Sequence, residues 1–441
     1  MVQCQRAPPT RLSSSVDPRR PLSQAWCPAV RPAIIWMEKV ITMHWQQPIP
    51  KSYLQMPSQE LFARIARRKE QLGRKLVILG HNYQQDDVIQ FADFIGDSFA
   101  LSRQAAGLSD AQYVIFCGVH FMAESADVLT APHQQVILPD LGAGCSMADM
   151  AALDDVEDAF AALEQANSAD PDFRLVPITY VNSSAAVKSF VGQHGGAVCT
   201  SSNCEKILSW ALDGQKPGAP PHTKIIFFPD QHLGRNTGWK MGFSLESMVL
   251  WDYRKPAGGL SEQQLRDATF ILWKGHCSVH QLFRPEHVEQ ARQRLPGVKV
   301  LVHPECCWEV VRKADLVGST EFIRQQVAAA APGDKWAIGT EVHMVNRLAR
   351  QHPEQTIIVL SECQCLCTTM YRIDPAHLLW VLDHLVAGEV VNQIKVDPFD
   401  AYWSRVSLQR MLDITAGRPL QEPPQPPPEH TTTAVALPAL V

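Results

Sequence analysis

The stretch KLVILGHNY (75–83) decides the fold. Four apolar residues, Leu76 to Leu79, follow one another without polar alternation, and the run ends in Gly80, His81, Asn82 and Tyr83. An uninterrupted short apolar run fits a strand buried on both faces, as in a parallel sheet, and not a half-exposed antiparallel one. The pattern recurs at YVIFCGVHF (113–121), QVILPDLGAGC (135–145), LVPITYVNSS (175–184) and AVCTSSN (197–203). It continues at KIIFFPDQHLG (224–234), TFILWKGHCSVH (269–280), VKVLVHPEC (298–306), WAIGTE (336–341) and TIIVLSECQC (356–365). Helical stretches separate the runs, so the expected class is α/β, with parallel sheets joined by right-handed crossovers.

Grouped in order, the runs suggest a weak internal triplication. The expectation is three similar three-layer α/β/α domains over 43–172, 173–266 and 267–375, followed by C-terminal helices over 376–417. In DPAHLLWVLDHLVAG, Asp374 is the expected N-cap, Pro375 the first helical residue and Gly388 the stop. DAYWSRVSLQRMLDITAG predicts a second helix ending at Gly417. Residues 1–42, rich in Pro, Arg and Ser, read as a disordered or processed leader, or as a gene start set too far upstream of Met37 or Met43. Residues 418–441 contain QEPPQPPPEH and read as a disordered Pro-rich tail.

The 441 residues are 46% hydrophobic and carry a net charge of −5. That balance argues against nucleic-acid binding, which needs a concentrated basic face. No apolar run reaches the roughly 18 residues of a membrane span, and the chain is expected in the cytoplasm. Twelve cysteines occur without the pattern of a secretory signal peptide, so clustered thiols point to metal, catalysis or packing before disulfides.

In open parallel sheets, ligands bind beyond the carboxyl ends of strands. His81, Asn82 and Tyr83, then Tyr180 and Asn182, then His280, His303 and Glu305 follow such ends, and three facing domains would gather them into one cavity. Cys145 and Cys277 each sit in a Gly-containing loop after a strand, and Cys363, Cys365 and Cys367 alternate in SECQCLC. Neither Cys145 nor Cys277 has a partner at the C-x₂₋₄-C or H-x₃₋₅-H spacing of a local zinc site. Spacing alone leaves buried packing, zinc, copper(I) and an iron–sulfur cluster open.

The motifs HNYQ with GDS, CGVHFMAE, GCSMAD, YVNSSAAVK, CTSSN, FFPDQHLGRNT, GHCSVH, HPEC, GST, TE and CTTM stand in one order over about 53–400. Together they strongly resemble the quinolinate synthase family. The resemblance implies three α/β domains in pseudo-threefold arrangement around a [4Fe–4S] cluster, with Cys145, Cys277 and Cys367 as ligands and one iron left open as a Lewis acid. It implies a transferase that forms a C–C bond between iminoaspartate and dihydroxyacetone phosphate, giving quinolinate, phosphate and water for NAD synthesis. An aspartate-oxidising enzyme is the implied source of the unstable imine.

Tyr83, Glu305 and His303 are the expected proton-handling residues, and Tyr83 would need a nearby cation or metal to act as a base. His81, Ser98, Tyr180, Asn182, Ser201, Ser319 and Thr320 are expected to hold substrate anions. The C-x-C-x-C run in place of C-x-x-C-x-x-C leaves the choice between Cys365 and Cys367 less determined. Segments near 152–172 and 238–262 look long for the family and are expected to be surface insertions. Two other readings stand: a zinc-dependent lyase or hydrolase using Cys277, His280 and His303, and a non-catalytic metal-storage or redox-sensing protein.

Overall fold

A computed structural model of the chain describes residues 46, 48–107, 110–218, 222–362, 366–421 and 427. The expected leader, most of the Pro-rich tail, and Cys363 and Cys365 lie outside the described residues.

The apolar runs form strands in three sheets. In the first sheet the strands lie in the order Phe94–Gly96, Leu76–His81, Tyr113–Cys117, Gln135–Ile137 and Gln393–Ile394. All pair in parallel except the last, which returns from the C-terminal region and pairs antiparallel with Gln135–Ile137. The second sheet runs Ala197–Cys199, Arg174–Tyr180, Thr223–Phe228, Phe270–Trp273 and Met248–Trp251, parallel throughout. The third runs Leu316–Val317, Lys299–Val302, Lys335–Gly339 and Thr356–Val359, also parallel. Leaving aside the added edge strands Gln393–Ile394 and Met248–Trp251, each sheet has its strands in the order second, first, third, fourth. The class is therefore α/β, and the triplication read from the apolar runs is present in the strand order.

Two expectations need correction. The boundary expected between 266 and 267 separates Phe270–Trp273 from its own sheet: Ile225, Ile226 and Phe227 pair with Phe270, Ile271 and Leu272. A four-residue apolar run announces a buried strand but carries no information about its partner. The two segments expected as surface insertions are part of a core. Helix Leu153–Asn167 buries Val156, Ala159, Phe160 and Leu163 against Phe190, Ile226, Phe228, Trp251 and Trp273 of the second lobe. The strand Met248–Trp251 extends that sheet and contributes Trp251 to the same core.

The C-terminal helices follow their sequence signals. Helix Pro375–Val386 begins where the Asp374 carboxylate accepts from the His377 N–H, and it ends before Gly388, whose φ is 85°. Asp383 on this helix accepts from Tyr53 (2.9 Å), Arg64 (2.8 Å) and Arg68 (2.6 Å), fastening it to the segment that enters the first lobe. Helix Pro398–Ala416 packs so closely on helix Ala185–Gln193 that a Cβ on Gly192 would lie 2.1 Å from the Trp403 carbonyl oxygen. Only a residue without a side chain permits that approach. Among the described residues, no helix is long and apolar enough to cross a membrane.

Candidate active site

The carboxyl ends of the strands of all three sheets line one cavity. Each first strand delivers two residues at alternate positions: His81 and Tyr83, Tyr180 and Asn182, His303 and Glu305. The chain turns directly after each of these strands, and each terminus contributes a pair. The second strands lead into helix starts that contribute Asp97 and Ser98, Thr200 and Ser201, and Thr320. After the fourth strands come the thiols: Cys145 after Ile137, Cys277 after Trp273 and Cys367 after Val359. Twelve of the thirteen expected site residues therefore line one space.

Ser319 is the exception. Its hydroxyl accepts from the Phe322 N–H and caps helix Thr320–Ala328, so it faces a neighbouring surface groove shared with Ser201 and Ser202. The helix consumes its cap, and the first helical residue, Thr320, turns inward to accept from Asn82 Nδ2 at 3.0 Å.

The imidazoles of His81 and His303 are fixed by one local device. His81 Nδ1 accepts from the Tyr83 N–H at 3.2 Å, and His303 Nδ1 accepts from the Glu305 N–H at 3.4 Å. A ring that accepts at Nδ1 carries its hydrogen on Nε2. Burial lowers the pKa of His81 to about 4 and of His303 to about 3. Both are thus neutral N–H donors at physiological pH.

Burial alone would raise the Glu305 carboxyl, but the adjacent His280 and His303 rings and a hydrogen bond from Tyr180 outweigh it and hold it below the ordinary carboxylate range. His280 Nδ1 lies 2.7 Å from Glu305 Oε2. The N–H is not aimed along that line and has no well-aligned acceptor, yet a bare nitrogen lone pair that close to a carboxylate would be repelled, so Nδ1 carries the hydrogen. Tyr83 and Tyr180 are pushed well above the usual phenol value, by burial first and then by the Glu305 charge. Among the protein's own groups, the field around Tyr83 favours the neutral phenol. Asn182 lines the cavity with its Oδ1 buried and unpartnered.

The thiols are buried and their pKa values raised, Cys145 to about 12 and Cys277 well above its ordinary range, with burial as the main cause in all three. They lie close enough for the charges of Cys145 and Cys367 to act on Cys277. Val119, Phe121, Met122, Met147, Val279 and Met370 surround them. Three convergent sulfurs in an apolar, thioether-lined chamber suit a soft, sulfide-bridged metal group, and a metal is what makes buried thiolates stable. A second donor set overlaps this one: Cys277, His280 and Glu305 have ligand atoms within 4.8 Å of one another. The zinc reading had His303 in that set. Instead His303 stacks on His280, with centroids 4.5 Å apart, and Glu305 takes its place.

The sequence reading gave no site role to Asp97, Thr200, Thr340 or Thr369, and placed His280 among the residues gathered at the cavity with a chemical role only in the zinc alternative. Asp97 accepts from Ser202 at 2.8 Å and so ties the second strands of two lobes together. Position at a strand end was the available signal for all but Thr369, and it does not separate them from ordinary turn residues.

Fold and site together define a three-lobed α/β protein whose lobes each lend one cysteine to a common, largely apolar chamber ringed by neutral histidines and phenols. The chain belongs to the family described as quinolinate synthetase A protein, whose sequence profile matches residues 63–413. It is similar to proteins named quinolinate synthase from Nocardioides sp. (56% identical over 355 residues, 80% of this chain and 89% of the relative) and Acidobacterium capsulatum (52% over 364 residues, 82% and 95%). The quinolinate synthase of Corynebacterium glutamicum is 51% identical over 376 residues, covering 85% of this chain and 93% of the relative.

Proposed function

We propose that this chain is a quinolinate synthase, a transferase that condenses iminoaspartate with dihydroxyacetone phosphate to give quinolinate, phosphate and two waters for NAD synthesis. The observation that carries the reading is the convergence of Cys145, Cys277 and Cys367, one after the fourth strand of each lobe, on the cavity formed by the first-strand residues. Those three cysteines would hold a [4Fe–4S] cluster. Bound there, the cluster supplies a Lewis-acidic iron that no cysteine holds.

The remaining work falls to the protein's own groups. Both substrates are anions, and the neutral Nε2–H donors of His81 and His303 offer them hydrogen bonds without a fixed positive charge. Ser98, Ser201 and Thr320 add hydroxyl donors near helix starts. Asn182 Oδ1, buried without a partner, would accept from a substrate N–H or O–H. Tyr180 and Tyr83 act as neutral phenols that hold or pass a proton at a substrate oxygen. Glu305 is ionised in the free protein; an anionic ligand beside it would raise its pKa toward the range useful for a general base. The apolar wall of Val119, Phe121 and Val279 limits water around the imine, which hydrolyses readily. We place the activity in the cytoplasm, coupled to an aspartate-oxidising enzyme that provides the imine, with neither nucleic acid nor membrane as a partner.

The Cys277, His280 and Glu305 group favours a second reading, a mononuclear zinc lyase or hydrolase. One sample separates the two. Protein purified without oxygen should be brown, contain about four irons and four sulfides per chain, and form quinolinate from the two substrates. Colourless protein with stoichiometric zinc and no quinolinate would overturn the proposal. Replacing Cys145, Cys277 or Cys367 by Ser should each abolish the colour; retention of full iron in the Cys367→Ser protein would move the third ligand to a neighbouring cysteine.

A further inference from the structure

The loops that carry Cys145 and Cys367 come from different lobes, yet they are fastened to each other by residues that do not line the cavity. Arg372, in the turn that follows Cys367, sends its guanidinium to Asp140, in the turn that precedes Cys145. Arg372 Nε lies 3.0 Å from Asp140 Oδ2, and Asp140 Oδ1 accepts from the Gly142 N–H at 2.8 Å. The guanidinium also rests on the Gly142 backbone: a Cβ there would stand 2.8 Å from Nη2, 2.9 Å from Nε and 3.0 Å from Cζ. A residue with a side chain at 142 would push the guanidinium off its seat.

Both ends of the pair are built into short hydrogen-bonded turns. On one side the Tyr371 N–H donates to the Cys367 carbonyl at 3.1 Å and the Arg372 N–H to the Thr369 carbonyl at 3.2 Å. On the other, the Ala143 N–H donates to the Asp140 carbonyl at 3.0 Å, and the Leu141 N–H to Gln46 Oε1 at 2.9 Å. Asn392 Nδ2 holds the Pro139 carbonyl at 3.0 Å. The Asp140 turn is thus a braced platform on the first lobe. Gln85, also of the first lobe, adds a second attachment by donating from Nε2 to the Ile373 carbonyl at 2.7 Å.

We infer that Arg372 and Asp140 are positioning residues: their pair clips the Cys367 loop of the third lobe to the first lobe and keeps the Cys145 and Cys367 sulfurs converged. The inference rests on the cluster proposed above for what those sulfurs hold. The Asp140 side chain is 4% exposed, but that of Arg372 is 52% exposed. An ion pair open to water on one side contributes little to the stability of a whole fold, so the effect of this one is local. Arg372 is outside the cavity lining, which separates its role from ligand contact.

The test compares variants purified without oxygen by three readouts: amide hydrogen exchange over 140–146 and 366–373, iron release to a ferrous chelator, and the urea midpoint. Arg372→Met keeps the stem and removes the fork. Exchange should rise in both segments together, because a shared clip opens both. Iron release should quicken about tenfold, the worth of one charge-assisted hydrogen bond, with the urea midpoint nearly unchanged. Arg372→Lys restores the charge without the fork and should fall between the two. Asp140→Asn keeps the acceptor for the Gly142 N–H and removes the charge. It should match Arg372→Met, and the double variant should add little, since the two act as one unit. Parent-like exchange, a rise confined to 366–373, parent-like iron release or additive losses in the double variant each overturn the inference. A urea midpoint that falls in step with faster release also overturns it, by showing a general loss of stability. Should Arg372→Met fail to accumulate, Asp140→Asn is scored by the same criteria. A parent that carries no iron defeats the cluster reading, while the exchange still decides whether the clip exists.

Discussion

Lowering the pH from 7 to 5 should weaken the fold through His81 and His303, well above the range in which carboxylates protonate. Both rings are buried and neutral, with pKa values lowered to about 4 and about 3 in the folded protein, against about 6.5 in an unfolded chain. The sign follows from proton uptake. Between pH 6.5 and 4 the unfolded chain binds a proton at each ring and the folded chain does not, so acid favours unfolding. At pH 5 each ring costs about 2 kcal/mol relative to pH 7, and the two together about 4 kcal/mol. Glu305 does not contribute in this window. Its folded value is depressed to about 2, so its stabilisation is complete above the unfolded value near 4.3 and is lost only as the pH falls toward 2. The assay is anaerobic urea denaturation at pH 7, 6 and 5, comparing the parent with a His81→Gln, His303→Gln protein of matched iron content. Glutamine keeps an N–H donor and does not titrate in this range. His232, also lowered to about 4 by burial, is common to both proteins and cancels in the difference. The double variant should lose about 4 kcal/mol less than the parent over this span. Parallel pH dependence in the two proteins would refute the claim that these rings are buried neutral.

Gly192→Ala places a methyl group 2.1 Å from the Trp403 carbonyl oxygen, so helix Pro398–Ala416 must shift; thermal unfolding should show a loss of about 1–3 kcal/mol or more. Leu163→Ala, at a fully buried position of helix Leu153–Asn167, should cost about 2–5 kcal/mol in denaturant melts, whereas a true surface insertion would lose almost nothing. Asn182→Ala removes an amide oxygen that has no partner in the free protein. It should leave stability little changed and raise KM about tenfold, the worth of one hydrogen bond to substrate; an unchanged KM would take Asn182 out of substrate binding.

What could be read in advance, and what could not, divides along a physical line. Apolar runs report burial of a strand on both faces, and that is a local property, so the three-sheet α/β architecture was legible. Which strands neighbour one another depends on the crossover path, so TFILW was assigned to the wrong lobe although its strand character was plain. The cavity residues at first-strand ends were legible for the same local reason: the period-two pairs His81 and Tyr83, Tyr180 and Asn182, His303 and Glu305 each stand where an apolar run stops.

Roles set by contacts across lobes were not legible. Thr340 follows a glycine at a strand end like many ordinary turn residues, and only the packing of the third lobe on the first brings it within 2.6 Å of a phenol 257 positions away. Ser319 and Thr320 show the converse. Both are hydroxyl residues at a helix start, and sequence offers no choice between them until the cap is assigned. Once Ser319 Oγ accepts from the Phe322 N–H, its side chain is committed to the helix and Thr320 is left to face the cavity. The same step occurs in the first lobe, where Asp97 accepts from the Ala100 N–H at 2.8 Å and Ser98 follows it into the lining. In these two lobes the backbone N–H groups of the helix claim the cap and the next hydroxyl reaches the cavity. In the third lobe capping chemistry thus separates the hydroxyl that holds the helix, Ser319, from the hydroxyl that can meet a ligand, Thr320.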